Sequence, residues 1–299
     1  LTPEDADRAV ALHVAAGYDF VKAYAKLEPA VFERLVERAR AAHLPVVGHV
    51  PREVGLMRSL ELGLASVEHT NTFYDALQAD DSPVKGKTDR ASRLAWALHL
   101  DESKLPAIAQ RFVDRHAFAC PTRVVLSSWE PRETQLAKLA RPESRYVLPS
   151  ERAIWEPGKE PLPPEEQKRN ARDLEVADAI MRELHRRGVP VLPGTDVGNP
   201  LLVPGYALHD ELAEFVRVGF TPYETLRAAT HDAAEALGLG GETGTITPDK
   251  SADVVLLAAD PRADIHNTTR IEGVMAHGVW IDAHDGEELL AGVARWAEG

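Results

Sequence analysis

The sequence predicts an α/β fold built on a parallel sheet, with a small β segment at its C-terminal end. Short buried strands alternate with amphipathic helices through the first 240 residues, which is typical of βα units and a parallel sheet. The tail differs, because its β runs follow one another without an intervening helix, as antiparallel strands do. We therefore divide the chain into a βα part at residues 1–240 and a β segment at residues 241–299.

Local signals justify the elements of the βα part in order. Thr2 is expected to cap the first helix, because Pro3 follows it and Asp5 stands where a capping box needs an acidic residue. Thr221 and Glu224 form a second capping box later in the chain. The expected helices span residues 2–16, 28–42, 54–62, 91–98, 102–116, 165–187 and 221–237, and another begins across 205–212. The expected strands span residues 18–24, 44–51, 64–70, 117–122 and 189–192.

Two stretches do not follow the βα pattern. Residues 124–164 contain seven prolines, which interrupt long elements, and aromatic residues, which argue against disorder. We expect an irregular excursion there, near the mouth of the sheet. In the tail, β runs are expected at residues 244–246, 252–257 and 271–281, the last as a hairpin around His277 and Gly278.

Polar side chains lie within or at the ends of four predicted strands. Lys22 lies within the first strand, His49 and His69 end the next two, and Asp196 follows the last. The carboxyl ends of parallel strands meet at one edge of a sheet, so these side chains should converge there. Histidine and aspartate are good ligands for a borderline divalent ion such as zinc.

Each of these residues also has a structural interpretation. A histidine at a strand end is often part of the core, Lys22 suits an edge or snorkelling position, and Asp196 suits the cap of a turn. The order of lysine, histidine, histidine and aspartate on successive strands favours the metal site over these alternatives.

These residues and their neighbours give the chain a resemblance to a known family. The chain resembles the amidohydrolase superfamily, and most closely its imidazolonepropionase-like branch, which includes Xaa-Pro dipeptidase-like members. The matching segments are residues 19–22, 48–51, 66–69, 194–196 and 208–212, together with 221–238, 244–246, 250–256 and 260–268 in the tail.

The resemblance implies a (β/α)8 TIM-like barrel with a small β-sandwich, of which this chain shows barrel strands four to eight. It places Lys22 on the fourth strand, His49 on the fifth, His69 on the sixth and Asp196 on the eighth. It also implies a binuclear metal centre, with zinc the expected metal. Lys22 would be carboxylated on its amine and bridge two ions. The two histidines would bind one ion, and Asp196 would bind the other and act as catalytic proton shuttle.

The chain departs from the family pattern at one place. The family's first barrel strand ends in His-X-His, and no His-X-His occurs in these 299 residues. The first three barrel strands also have no counterpart. We therefore expect a preceding segment with His-X-His, attached to this chain or supplied by another.

The function expected from the resemblance is metal-dependent hydrolysis of amide or other C–N bonds in a small molecule that is peptide-like or a cyclic amide. An esterase or lactonase is a close alternative, since the same tetrahedral intermediate serves both. Another is a non-catalytic remnant that acts as a binding module, and a third is an open five-stranded sheet. His209 is a candidate substrate-binding residue, with a surface helix histidine as the alternative.

Composition excludes some partners and leaves others open. The net charge is −13 with no basic run, so nucleic acid and anionic membrane surfaces are not expected partners. No apolar run approaches the ~20 residues of a membrane helix. One cysteine, Cys120, excludes an intrachain disulfide. A homo-oligomer is compatible with the sequence. No signal peptide is visible, which favours a cytoplasmic location while leaving the compartment open.

Overall fold

The structure, a computed structural model, describes residues 1–87 and 89–299. The described chain forms two compact units. The first consists of Leu1–Pro121 and Ala171–Val191, and the second of Thr122–Asn170 and Leu192–Gly299. The division at residues 240 and 241 that the sequence suggests stays a prediction.

The first unit is built on a four-stranded parallel sheet, as predicted. Its strands follow chain order and are β1 (Val21–Ala23), β2 (Val46–Gly48), β3 (Leu64–Glu68) and β4 (Phe118–Cys120). This confirms the parallel α/β part of the predicted fold, while closure into a barrel stays a prediction.

The expected fifth strand, at residues 189–192, is reduced to a single parallel bridge. Val191 pairs with Ala119 of β4, whose N–H donates to the carbonyl of Pro190 at 3.0 Å. Pro190 precedes Val191 and has no N–H to donate, and Pro121, directly after β4, has none either. Pairing therefore cannot extend, although the segment lies where the sequence predicts it.

Helices of the first unit cover the sheet and supply its core. They are α1 (Pro3–Ala16), α2 (Pro29–Ala41), α3 (Leu56–Leu62), α4 (Tyr74–Leu77), α5 (Arg90–Ala95) and α6 (Leu105–Arg115). The capping box of Thr2 and Asp5 is present, and Gly17 ends α1 with φ of 70°. The rings of Phe73 and Phe112, both fully buried, stack with centroids 5.4 Å apart.

The proline-rich stretch is more regular than expected. It contains 3-10 turns at Arg123–Trp129 and Pro142–Tyr146, and the helices α7 (Arg132–Leu139) and α8 (Pro149–Trp155). The prediction of an irregular excursion was wrong in this respect, because several prolines stand at helix starts, where a missing N–H costs nothing. Helix α9 follows at Pro164–Arg186, as predicted.

The first helices after Asp196 belong to the second unit. They are α10 (Tyr206–Val218), α11 (Pro222–Arg227) and α12 (Ala233–Ala236). The capping box of Thr221 and Glu224 is confirmed at the start of α11. Two clusters form the core around the loop after Asp196. One contains Val124, Leu202 and Ala207, and the other contains Val147, Trp155, Leu201 and Val203.

The tail carries an antiparallel sheet and a helix. The sheet has the order β5 (Val254–Leu257), β6 (Ile271–Ala276) and β7 (Val279–Asp282). The hairpin turn falls at His277 and Gly278, which confirms the prediction, and φ is positive at both residues. Residues 244–246 are not a strand, contrary to expectation. Among the described residues of 241–299, this is the only β-sheet. A sandwich of two sheets stays a prediction.

Helix α13 (Ala283–Glu298) was not predicted from the sequence, although Asp282 caps it through a 2.9 Å bond from the N–H of Asp285. Among the residues that the structure describes, no helix combines the length and hydrophobicity needed to cross a bilayer.

Candidate metal centre

The carboxyl ends of β2 and β3 bring His49 and His69 together, and Lys22 of β1 reaches the same group by its contact with Glu68. Neighbouring strands hold the backbone of both histidines. The N–H of His49 donates to the carbonyl of Ala23 at 3.1 Å, and the N–H of His69 donates to the carbonyl of Cys120 at 3.0 Å. Each histidine is therefore held at the point where its strand ends.

The backbone conformation of Gly48 places His49 at the end of β2. Its φ is +116°, a region that disfavours residues with a side chain. A Cβ at this position would also lie 2.6 Å from the carbonyl oxygen of Ala23. Glycine is thus required both by the backbone turn and by the close approach of β1.

His69 has an unusual backbone conformation for a residue with a side chain. Its φ is 65° and its ψ is 143°, outside the favoured regions. The hydroxyl of Thr72 donates to the carbonyl of His69 at 2.7 Å and lies 3.1 Å from that of Glu68, which supports the turn. Backbone strain of this kind is concentrated at functional sites.

The side chains form a compact group of possible metal ligands. The rings of His49 and His69 lie 4.6 Å apart, centroid to centroid, and the ring of Tyr24 packs 4.2 Å from that of His49. The Oε2 atom of Glu68 lies 3.7 Å from Nδ1 of His49. Ligand atoms of His49, Glu68 and His69 all lie within 4.8 Å of one another.

This donor set fits the divalent ion that the sequence predicts. Two imidazoles and one carboxylate are ligands that zinc accepts, and the three side chains are partly shielded from solvent. Glu68 was not among the ligands predicted from the sequence. The signal available was a carboxylate at the end of a buried strand, next to a predicted histidine ligand.

Lys22, a predicted bridging ligand, lies in the same group, where its ammonium pairs with the carboxylate of Glu68. Its Nζ lies 2.9 Å from Oε2 of Glu68, and its side chain is 56% exposed. Its role as a carboxylated ligand stays a prediction.

Asp196 lies in the second unit, in a tight turn. Its φ is 47°, and the side-chain amide of Asn199 donates to its backbone carbonyl and its Oδ2, both at 2.9 Å. These bonds agree with the turn-capping alternative, while its role as ligand and proton shuttle stays a prediction.

His209, the predicted substrate-binding residue, lies on α10. Its Nδ1 is 2.9 Å from the hydroxyl of Thr268, and burial lowers the pKa of His209 below its ordinary value. The neighbouring Asp210 accepts two bonds from the guanidinium of Arg141, at 2.8 and 2.7 Å. These contacts join α10 to other parts of the second unit, and substrate binding by His209 stays a prediction.

Glu211 is a buried acid that the sequence did not single out. It has no exposed surface, and its two oxygens accept the backbone N–H groups of Arg123 and Val124 at 3.0 and 2.9 Å. Burial raises the pKa of Glu211 to about 8, against the opposing effect of these two N–H groups. Glu211 therefore holds the turn that follows β4 against α10.

Comparison with known proteins shows what the chain is similar to. The profile of the amidohydrolase family matches residues 23–281. The imidazolonepropionase of Chloroflexus aggregans is 40% identical over 83 residues, which are 27% of this chain and 19% of that protein. An uncharacterized protein of Mycobacterium tuberculosis is 37% identical over 95 residues, which are 28% of this chain and 24% of that protein.

Solved structures resemble almost the whole chain. A bottromycin amidohydrolase matches with a TM-score of 0.72 and 28% identity, over 98% of this chain and 62% of its own. A Xaa-Pro dipeptidase crystallised with methionine in its active site matches with a TM-score of 0.64 and 16% identity, over 95% of this chain and 59% of its own. The second likeness concerns the fold alone. The chain spans less than two thirds of both structures and about a quarter or less of these curated relatives.

Proposed function

Because the chain belongs to the amidohydrolase family, we propose that it acts as a metal-dependent hydrolase of amide or other C–N bonds. The observation that supports this most directly is the cluster of His49, Glu68 and His69, whose ligand atoms lie within 4.8 Å of one another. Their donor chemistry suits a divalent ion, and we propose zinc.

The residues of the proposed site would have separate roles in the reaction. His49 and His69 would hold the ion, with the ring of Tyr24 packed against His49 to fix its orientation. An ion held there would polarise the substrate carbonyl and lower the pKa of water. Asp196 would take a proton from the attacking water and pass it to the leaving nitrogen. This role of Asp196 rests on the sequence pattern.

The two-ion state belongs to the same proposal. Lys22, once carboxylated, would supply a carboxylate shared by two ions, and Asp196 would bind the second. We propose this centre for the whole protein, in which the predicted His-X-His residues would complete it. The carboxylated form of Lys22 is part of this proposal, whereas in the structure the Lys22 ammonium pairs with Glu68.

The names of the relatives support a substrate class. The bottromycin amidohydrolase, the Xaa-Pro dipeptidase and the imidazolonepropionase carry names that indicate hydrolysis of amide-like bonds. We therefore propose a small peptide-like or cyclic amide substrate, with His209 as a candidate contact.

A substrate panel with metal depletion tests the proposal. Xaa-Pro dipeptides, other dipeptides, cyclic amides and matched esters would be incubated with the protein before and after chelation and zinc reloading. We expect hydrolysis of an amide that chelation abolishes and zinc restores. Hydrolysis that survives chelation, or that is confined to the esters, would contradict the proposal.

Asp196→Asn tests the proton shuttle on any substrate that the panel identifies. We expect the fold to persist and turnover to fall by about 10²–10⁴-fold, the usual effect of losing a general base. Asp249→Asn is a matched control, since Asp249 is also an aspartate with positive φ in the second unit. Equal turnover in both variants would rule out the role of Asp196.

A further inference from the structure

We propose that a pocket between the loops after β1 and β2 binds a carboxylate of the peptide-like substrate through Arg52 and Arg93. The inference rests on the proposed function in one respect, namely that the substrate is peptide-like. It assigns a substrate contact within the first unit, at residues that the sequence did not single out.

The pocket lies entirely within the first unit and has a volume of about 240 Å³. Its walls come from the loop after β1, the loop after β2 and helix α5, and its charged lining residues are Lys26, Glu28, Arg52, Glu53 and Arg93. Sites that enclose a whole small molecule usually have a volume of about 300–1,000 Å³. The volume of this pocket therefore suits one end of a substrate.

Backbone hydrogen bonds hold the two loops together. The N–H of Arg52, after β2, donates to the carbonyl of Ala25, after β1, at 3.1 Å. The N–H of Gly55 donates to the carbonyl of Pro51 at 3.0 Å, which closes a turn around Arg52 and Glu53. The walls of the pocket are therefore fixed before a ligand arrives, which lowers the entropic cost of binding.

The charges of the pocket suit a carboxylate. Its three basic and two acidic side chains leave one positive charge, in a chain whose net charge is −13. Helix α2 begins at Pro29, beside the pocket, and its N-cap residue Glu28 makes no capping hydrogen bond, so the positive end of the helix dipole adds to the attraction. Guanidinium groups bind carboxylates through paired hydrogen bonds. The two acids disfavour a doubly charged phosphate, and they can accept a hydrogen bond from the N–H beside a peptide carboxylate.

The pocket is close to the candidate metal centre along the chain. Arg52 follows His49 by three residues, so their Cα atoms are at most about 11 Å apart. Tyr24, whose ring packs 4.2 Å from that of His49, directly precedes Ala25 of the pocket. Two or three residues of an extended peptide span roughly 7–11 Å. A peptide whose reacting carbonyl lies near His49 can therefore place its terminal carboxylate in the pocket.

Three substitutions should change carboxylate binding in opposite directions. Arg52→Gln and Arg93→Gln each remove a cation, and we expect each to weaken binding about 5- to 10-fold, the lower range for a charged hydrogen bond that solvent can reach. Glu53→Gln removes a repelling charge, so we expect binding to tighten by up to about fivefold. Arg58→Gln is the matched control, because Arg58 lies on α3 outside the pocket and pairs with Glu33 at 2.9 Å.

Calorimetric titration of the metal-depleted 299-residue chain measures binding without turnover. The probe is N-acetylglycine, which carries one carboxylate beside an amide N–H, and the comparison ligands are the neutral N-acetylglycinamide and inorganic phosphate. We expect N-acetylglycine to bind more tightly than either, with the opposite effects of the arginine and Glu53 variants and no effect of Arg58→Gln. Failure of N-acetylglycine to bind, equal affinity in all variants, or preference for phosphate would overturn the inference.

A kinetic comparison connects the pocket to the reaction. For a peptide that the substrate panel identifies, Arg52→Gln should raise KM about 5- to 10-fold for the free acid, with kcat unchanged, and should leave the C-terminal amide unaffected. An equal change in KM for both forms would overturn the inference. If N-acetylglycine binding depends on Arg52 and Arg93 while no peptide is hydrolysed, the carboxylate pocket stands and the proposed function fails.

Discussion

Replacing Glu211 by glutamine should destabilise the protein by about 1–3 kcal/mol near pH 5. The buried carboxyl accepts one N–H on each oxygen, from Arg123 and Val124. Glutamine retains one acceptor oxygen, but its amide nitrogen cannot accept, so one buried N–H loses its partner. The expected loss is the desolvation penalty of that group.

The effect should depend on pH, with a sign that follows from the raised pKa. Burial raises the pKa of Glu211 from an ordinary 4.5 to about 8. The folded protein then keeps a proton that the unfolded chain releases, so stability from this group is complete below about pH 4.5. It is lost as the pH rises through about 8, with a slope of roughly 1.4 kcal/mol per pH unit. Glutamine does not titrate, so the difference between wild type and Glu211→Gln should shrink and reverse by about pH 8.

Urea unfolding followed by tryptophan fluorescence measures both effects. Trp129 ends the 3-10 turn that contains Arg123 and Val124, and Trp155 lies in the same unit. The matched control is Glu37→Gln on α2, where the carboxylate pairs with Arg34 at 2.8 Å. This partly exposed pair should contribute no more than about 1 kcal/mol. Equal destabilisation by both variants at pH 5, or a difference that does not change with pH, would refute the reasoning.

Gly48→Ala in β2 and Gly273→Ala in β6 should each destabilise the protein, because the added Cβ meets a neighbouring group. Gly48→Ala should lower stability by about 1–3 kcal/mol and weaken zinc binding, because it combines a φ of +116° with a Cβ 2.6 Å from the Ala23 carbonyl. Gly198→Ala has the same φ of +116° but open space, so urea unfolding that shows equal losses for both would contradict the predicted clash. Gly273→Ala should cost about 1–3 kcal/mol, because its Cβ would overlap the ring of Trp280 on β7, and Trp280 fluorescence should report the change. Gly292→Ala in α13, where a Cβ meets little, should instead stabilise by up to about 1 kcal/mol, and a similar effect of both alanines would argue against the overlap.

Features that depend on neighbouring residues in the chain could be predicted from the sequence. The capping boxes at Thr2 and Thr221 are local, and both start helices as expected. The convergence of His49 and His69 also followed from the sequence, because parallel strands end at one edge of a sheet.

The features that escaped prediction depend on backbone geometry or on contacts distant in sequence. Glu68 was missed because strand alternation places it opposite His69, and no sequence signal announces a φ of 65° at a histidine. Glu211 was missed because its partners lie more than 80 residues away, at Arg123 and Val124. The strand around Val191 is shorter than expected because Pro121 and Pro190 have no N–H to donate, although both are visible in the sequence.

Anomalous X-ray scattering at the zinc edge, from crystals of the zinc-loaded protein, shows directly whether His49 and His69 hold a divalent ion. We predict an anomalous peak about 2.0–2.2 Å from a ring nitrogen of His49 and a ring nitrogen of His69. A crystal with no ordered ion at His49 and His69, or with zinc held by other residues alone, would contradict the account.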